Sequence, residues 1–445
     1  MTRAVLCIVL LTVLASGASA QPSTVLTLED AITRGLSASP RVQESRAREA
    51  AAAAGRDGRR ALSGPTASLT TSYVRTNHIE EFAVPLPGGG SRVIFPDIPD
   101  NWRLRADVMY LLWTGGRTDA LVEAASSELL AAEADAKVVA ADLAMEIALT
   151  YWQVVTTRAT VVVLDEGLAR TEAWVTDVRA RVDAGVSSPH EVAQAQAHRA
   201  RQRVQRIQSA QAATLAEREL VRLTGLPAGQ ALVLATPVDQ PLVGTSGATL
   251  AEVADHYTRA VAGRAERDAF AARREAFSAA ARAAMATLHP QVATFAGIEP
   301  ARPNSRFVPR TDRWNTSWDL GVSVTWSLWD NGRARADRAL ALAQSEALAH
   351  RQREFESRLD VEVVQRLLDL ESGRAAVEAS SEAVDAAVEV HRVMRERYDA
   401  GVATSTEVLD AHIAWLDASL ERTRLRAALR VAESRLQRTL GASIR

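Results

Sequence analysis

The sequence is poor in the residues that most often carry chemistry. Its one cysteine, Cys7, lies in the apolar opening stretch, so the rest of the chain forms no disulfide and holds no metal through thiolates. Lysine occurs once, at Lys137, and arginine supplies nearly all of the positive charge. With a formal net charge of -2 there is no basic footprint for nucleic acid. Aromatic residues make up 5% of the chain, and the 47% hydrophobic content comes largely from alanine. Such a composition favours long, closely packed helices over a bulky core. Beyond the opening stretch, no segment reaches the ~18 uncharged apolar residues of a membrane-spanning helix.

Motifs for catalysis are equally scarce. The eight histidines are scattered, none at metal-ligand spacing from another. His190-Glu191 begins like a zinc-protease helix, but the second histidine position is Gln194. Gly88-Gly89-Gly90-Ser91 lacks the lysine and following helix of a phosphate-binding loop, and reads as an exposed tip. No cofactor, metal or catalytic constellation emerges.

The opening residues 1–20 combine Arg3, an apolar run from Ala4 to Ala15, and Ala18-Ser19-Ala20, which predicts a signal peptide cleaved after Ala20. A membrane helix would need a longer run and a stop-transfer flank. Cys7 sits inside the run and not after a small residue at its end, so no lipid is expected on cysteine. An exported chain without a spanning helix is periplasmic, secreted, or held in an outer membrane as a barrel.

What the chain does contain is a duplication. Trp113-Thr114-Gly115-Gly116-Arg117 recurs as Trp329-Asp330-Asn331-Gly332-Arg333, Asp183-Ala184-Gly185-Val186 as Asp399-Ala400-Gly401-Val402, and Leu223-Thr224-Gly225 as Thr439-Leu440-Gly441. The second pair is identical, the first agrees at three of five positions and the third at its glycine, and all stand 216 positions apart. A constant offset means two copies of one unit, far longer than a solenoid period of ~20–50 residues. The copies span 21–225 and 250–445, joined by a linker at 226–249 that is rich in proline, glycine and valine.

Each unit reads helix, strand, loop, strand, long helix, turn, helix. From Trp314 to Trp329 apolar and polar residues alternate, with Trp318, Leu320, Val322, Val324 and Trp326 on one face and Asp319 and serines on the other. The run exceeds the ~9–11 residues that cross a bilayer at a tilt. Its counterpart, Trp102 to Leu112, places Arg103, Arg105 and Asp107 on the polar face, which must look into water. Strands at Pro65–Thr76 and Pro290–Ile298 precede them, and His78–Asp100 and Glu299–Arg313 read as loops.

Arg117–Val182 and Arg333–Tyr398 are proline-free runs of 66 residues, ~100 Å each as helices. The return helices Glu191–Leu223 and Glu407–Leu440, and the leading helices Leu28–Leu62 and Leu250–Leu288, are about half as long. A leading and a return helix must therefore meet end to end beside each long one. Four strands cannot close a barrel, and an open edge in lipid leaves backbone groups unpaired. The chain is expected to share its barrel with copies of itself, three copies giving twelve strands.

The duplication, the opening Leu28-Glu29-Asp30-Ala31-Ile32 with Ser39-Pro40, the Gly-Arg pairs at 116–117 and 332–333, and the turns at 181–185 and 397–401 together resemble the TolC family of outer-membrane efflux proteins. The resemblance covers 21–445. It implies an α+β membrane protein with two helix–β-hairpin–helix repeats per chain, a homotrimer whose twelve-stranded barrel sits among outer-membrane lipid and continues as a periplasmic α-helical barrel. It also implies partners, a periplasmic adaptor (membrane fusion protein) and an inner-membrane pump. Arg181, Gly185, Val186, Arg397, Gly401 and Val402 would touch the adaptor, and Glu191, Tyr398, Glu407 and Asp410 would line the periplasmic gate. Ala403 stands where some members carry a gating arginine, so that lock is not assumed. The expected function is a passive exit duct and not an enzyme. The competing reading is a coiled-coil periplasmic spacer or receptor without a channel.

Overall fold

The computed structural model describes residues 24–227, 232–236 and 252–444. The expected leader and most of the expected linker lie outside them. In chain order the elements are β1 (Thr24–Leu26), α1 (Leu28–Ala38), α2 (Pro40–Ala61), β2 (Thr66–Arg75), β3 (Phe82–Pro85), β4 (Ser91–Phe95), β5 (Asp100–Trp113), α3 (Arg117–Asp183), α4 (Pro189–Thr224), β6 (Leu232–Leu234), α5 (Val253–Gly263), α6 (Ala265–Ala286), β7 (Gln291–Arg302), β8 (Asn315–Thr325), α7 (Arg333–Asp399) and α8 (Ser405–Thr439).

The two repeats are evident in the long helices. α3 and α7 are 67 residues each, about 100 Å at 1.5 Å per residue. Both begin after a left-handed glycine, Gly116 and Gly332, where the strand turns into the helix. α3 packs against α2 and α6 on its strand-proximal half and against α4 and α8 on the other, while α7 packs against α6 and then α8. Leading and return helices therefore meet midway along the long one, as their lengths require. Buried alanines such as Ala276, Ala279 and Ala283 of α6, and Ala124, Ala131 and Ala134 of α3, let these helices approach closely. α3 also holds an 18-residue stretch apolar enough to cross a membrane by length and composition. Much of this helix is instead packed on its neighbours.

Neither leading helix is continuous. Ser39 caps α2 with Pro40 at its first position, and the ring of Pro40 disfavours helical geometry in the residue before it. The second breaks at Arg264, because Gly263 lies against the end of α8, where a Cβ would come within 2.6 Å of the Leu440 carbonyl. These breaks bend the chain around an apolar cluster of Leu143, Ile147, Tyr151, Val154 and Leu220 in the first repeat, and Leu359, Val363, Leu367 and Leu436 in the second. At the second junction Arg438 pairs with Glu266 at 2.8 Å and Asp142 at 2.6 Å. Although burial opposes it, hydrogen bonds from Arg264 and Arg438 hold the Glu266 carboxyl down to about 2.

The four long strands form one antiparallel sheet, in the order β2-β5-β7-β8, so β5 and β7 join the repeats. β8 stops at Thr325, short of Trp329, where the Trp326 indole N–H donates to the Leu288 carbonyl at 2.9 Å. β7 runs on to Arg302, so Glu299 is a strand residue and not the start of a loop. The segment read as the loop His78–Asp100 contains the hairpin β3-β4, which turns at Gly88, Gly89 and Gly90, all at positive φ.

Candidate functional site

The sheet has two chemically distinct faces. Register places Leu69, Ala106, Ile298 and Trp318 on one side, with Ala67, Val108, Ala296 and Leu320 beside them. This apolar face is exposed, as at Leu69, Trp318, Leu320 and Val322. A soluble sheet would cover it, whereas a bilayer solvates it.

The opposite face carries Arg103, Arg105, Asp107 and Asp319 together, as their alternation predicts. Arg105 sits at the centre, with its guanidinium 2.8 Å from Asp107, 3.2 Å from Glu299 and 3.0 Å from Asp319. Arg103 approaches Glu299 at 3.5 Å, and Arg306 reaches Asp319 at 4.0 Å. Gly297 makes room for this cluster, since a Cβ there would lie 2.6 Å from a guanidinium nitrogen of Arg105. The β5-β7 ladder is interrupted opposite Pro300, which has no N–H to donate. Glu299 and Gly297 escaped the sequence reading; the signal was the parity of Glu299 with the polar face, obscured by the proline after it.

At the far ends of the long helices the two turns repeat one geometry. Val186 N–H donates to the Arg181 carbonyl and Gly185 N–H to Val182, both at 2.9 Å; Val402 donates to Arg397 at 2.9 Å and Gly401 to Tyr398 at 3.0 Å. This pairing closes a helix through a left-handed residue, and Gly185 and Gly401 both have φ 76. A Cβ added at either glycine would meet nothing within 4 Å, so the requirement is conformational. Val186 and Val402 project beyond the turns, 73% and 63% exposed.

The return helices start differently. Thr404 and Glu407 form a reciprocal capping box, the Glu407 carboxylate accepting from the Thr404 N–H at 2.7 Å and hydroxyl at 2.9 Å. Those bonds hold its carboxyl below the usual range. In the first repeat, the Ser188 hydroxyl bonds the ring of His190 at 2.8 Å and caps nothing, with Pro189 opening the helix.

Beneath the turns, Tyr398 is buried with Trp174, Val178, Ala195, Val408 and Leu409. Its ring lies 4.7 Å from that of Trp174 and 4.5 Å from the Arg181 guanidinium. Its hydroxyl donates to Glu191 at 3.4 Å, with Ser187 at the same distance. Burial pushes the phenol above its ordinary range, with Glu191 alongside. Arg181 also pairs with Asp399 of the other turn at 2.5 Å, so it ties the two turns together and is half-buried. Arg397, Glu407 and Asp410 are exposed, the last two on the side of α8 opposite the buried Val408 and Leu409. The structure thus brings Glu191 and Tyr398 into contact and leaves Glu407 and Asp410 apart from them.

Among curated protein sequences, none matches this chain. Several solved structures share its fold. A membrane protein from Pseudomonas aeruginosa superposes with a TM-score of 0.78 at 20% identity, over 94% of this chain and 90% of that one. The outer membrane protein VceC from Vibrio cholerae gives 0.74 at 20% identity, over 94% and 97%. The Neisseria gonorrhoeae MtrE outer membrane channel, in its open state, gives 0.76 at 19% identity, over 94% and 89%. The sequence itself matches the outer membrane efflux protein family over residues 31–226 and 249–442. With both repeats matched, over most of its length, the chain belongs to the outer membrane efflux protein family, a family of transport channels.

Proposed function

We propose that three copies of this chain close a twelve-stranded barrel in the outer membrane, continued by a helical tunnel across the periplasm. The assembly is a passive exit duct, supplied by an inner-membrane pump through a periplasmic adaptor. One observation carries this reading: each chain ends in matching open edges at both levels. In the sheet these are β2 and β8; in the helical layer they are α2 with α4 on one side and α7 on the other. A sheet with an exposed apolar face and unpaired edges is unstable in lipid until the edges pair, and identical copies arranged head to tail pair them in a ring. The polar face of Arg103, Arg105, Asp107 and Asp319 then lines the lumen.

The turns near 185 and 401 are the points farthest from the sheet, which supports them as the adaptor surface, with Val186 and Val402 in contact. The gate lies just above, where Tyr398 and Glu191 join α7 to α4, and where Glu407 and Asp410 of three copies would ring the passage. Planar-bilayer recording of the purified protein tests the duct. Stepwise conductance is expected; a protein that inserts yet never conducts would favour the spacer.

A further inference from the structure

The histidines that look scattered in sequence are not scattered in space. His198 of α4, His391 of α7 and His412 of α8 meet one helical turn or more above the tip cluster. The His391 and His412 rings are 5.5 Å apart, and those of His198 and His412 are 6.0 Å apart. His412 is 4% exposed. The Gln202 side-chain amide donates to Nε2 of His198 at 3.1 Å and of His412 at 3.2 Å, while its carbonyl accepts from the Thr171 hydroxyl at 2.7 Å. An amide NH2 only donates, so toward it both Nε2 atoms act as acceptors, and the Thr171 hydroxyl lies 3.0 Å from Nε2 of His412 as well.

Three of the four elements packed here add a positive charge close by. α3 contributes Arg170, stacked 4.1 Å over Trp415, α4 contributes Arg201, and α7 contributes Arg395. The carboxylates in range, Asp410 and Asp417, stand on the exposed side of α8 and act on His198. Beside His391 and His412 the cavity is about 20 Å³, room for a single water. A proton added here gains no bulk solvation, and on Nε2 it sets a donor against the Gln202 NH2, which leaves His412 only a contact shared with the Thr171 hydroxyl oxygen at 3.0 Å and His198 only the distant pull of exposed carboxylates.

We infer that His198, His391 and His412 form a proton-operated wedge, which forces α4 and α8 away from α3 and α7 when the surrounding medium turns acidic. Burial, then the neighbouring histidines and Arg170, lower His412 to about 4, and burial also lowers His198 and His391. A base held below its unfolded value of ~6.5 leaves the packed form fully stable above that pH. Stability is lost as pH falls from ~6.5 toward 4. The segments displaced lead directly to Tyr398, Val408 and Leu409 of the tip. That the loosening opens a passage rests on the duct reading; the movement itself does not.

The test uses the full-length assembly with Cys7 replaced and Val402→Cys spin-labelled. Label-to-label distances are measured from pH 7.5 to 4.5. The distances should lengthen or broaden with a midpoint between 6.5 and 4. His412→Phe, which keeps an aromatic in the core, should weaken the transition. Gln202→Glu, which sets a carboxylate against both Nε2 atoms, should raise the midpoint by a unit or more. Distances that do not change with pH, or an identical transition in all three proteins, would overturn the wedge. A transition that behaves as described in a protein without conductance supports the wedge and removes the duct.

Discussion

Arg105 and Asp319 stand 214 positions apart, one in each repeat, and meet at 3.0 Å across the polar face of the sheet. The contact spans β7 above Gly297, so the two halves of the duplication are joined by charge as well as by backbone pairing. Balanced charge is the notable property of this cluster, with Arg103, Arg105 and Arg306 against Asp107, Glu299 and Asp319.

Removing Arg105 should therefore tip the balance. Arg105→Ala leaves three carboxylates facing one another without their central cation, and in the proposed trimer the excess would be tripled. Cation selectivity should rise, read as a shift in reversal potential under a salt gradient, and the shift should shrink at high ionic strength. Gly297→Ala should act in the same direction by displacing the guanidinium. A reversal potential identical to that of the parent in both variants would take the cluster out of the ion path.

The open edges predict the assembly. Light scattering corrected for bound detergent should give three copies of the processed chain. A stable membrane-inserted monomer would refute shared closure, because β2 and β8 would then meet lipid unpaired.

How much of this was legible in the sequence depended on whether a feature is local. The alternation in β5 and β8 and the proline-free runs of α3 and α7 are local patterns, and their faces and lengths came through to within a few residues. The break at Ser39-Pro40 was visible but is indistinguishable in periodicity from a continuous helix, since α1 and α2 keep similar directions of apolar residues. The break at Gly263 has its cause in another helix, the end of α8. His198, His391 and His412 are the extreme case: their meeting is set by the relative register of three helices, which no window of sequence contains. Glu191 and Tyr398 were singled out by resemblance alone, and their 3.4 Å contact depends on the two turns lying side by side.

At the tip, Gly185→Val and Gly401→Val should each block export while leaving insertion and trimer mass unchanged. A β-branched residue held near φ 76 is strained by about 1–2 kcal/mol, enough to unwind the last turn and withdraw Val186 or Val402 from a docking surface. The measurement is substrate accumulation in cells producing each variant, paired with outer-membrane fractionation. Normal export from both variants would move the adaptor contact elsewhere.

The last prediction separates gate from cap at α8. Glu407 is committed to the Thr404 backbone and hydroxyl, which holds its carboxyl low, so its stabilisation of the helix start is present above the ordinary glutamate range near 4.5 and is lost as pH falls below it. Asp410 lies three positions on, along the same exposed side, and no such bond engages it in the capping box. If both carboxylates line the passage, Glu407→Ala with Asp410→Ala should lower cation selectivity and weaken block by multivalent cations. Asp410→Ala alone should then show part of the electrical effect without loss of helix stability. If the role is only capping, Glu407→Ala should destabilise the tip with unchanged selectivity, and Asp410→Ala should do nothing. Tyr398→Phe provides the independent arm, because it deletes the hydroxyl bonded to Glu191 while keeping the ring against Trp174 and Arg181. Higher open probability in Tyr398→Phe, with the double alanine variant silent, would place the gate at the Tyr398–Glu191 contact.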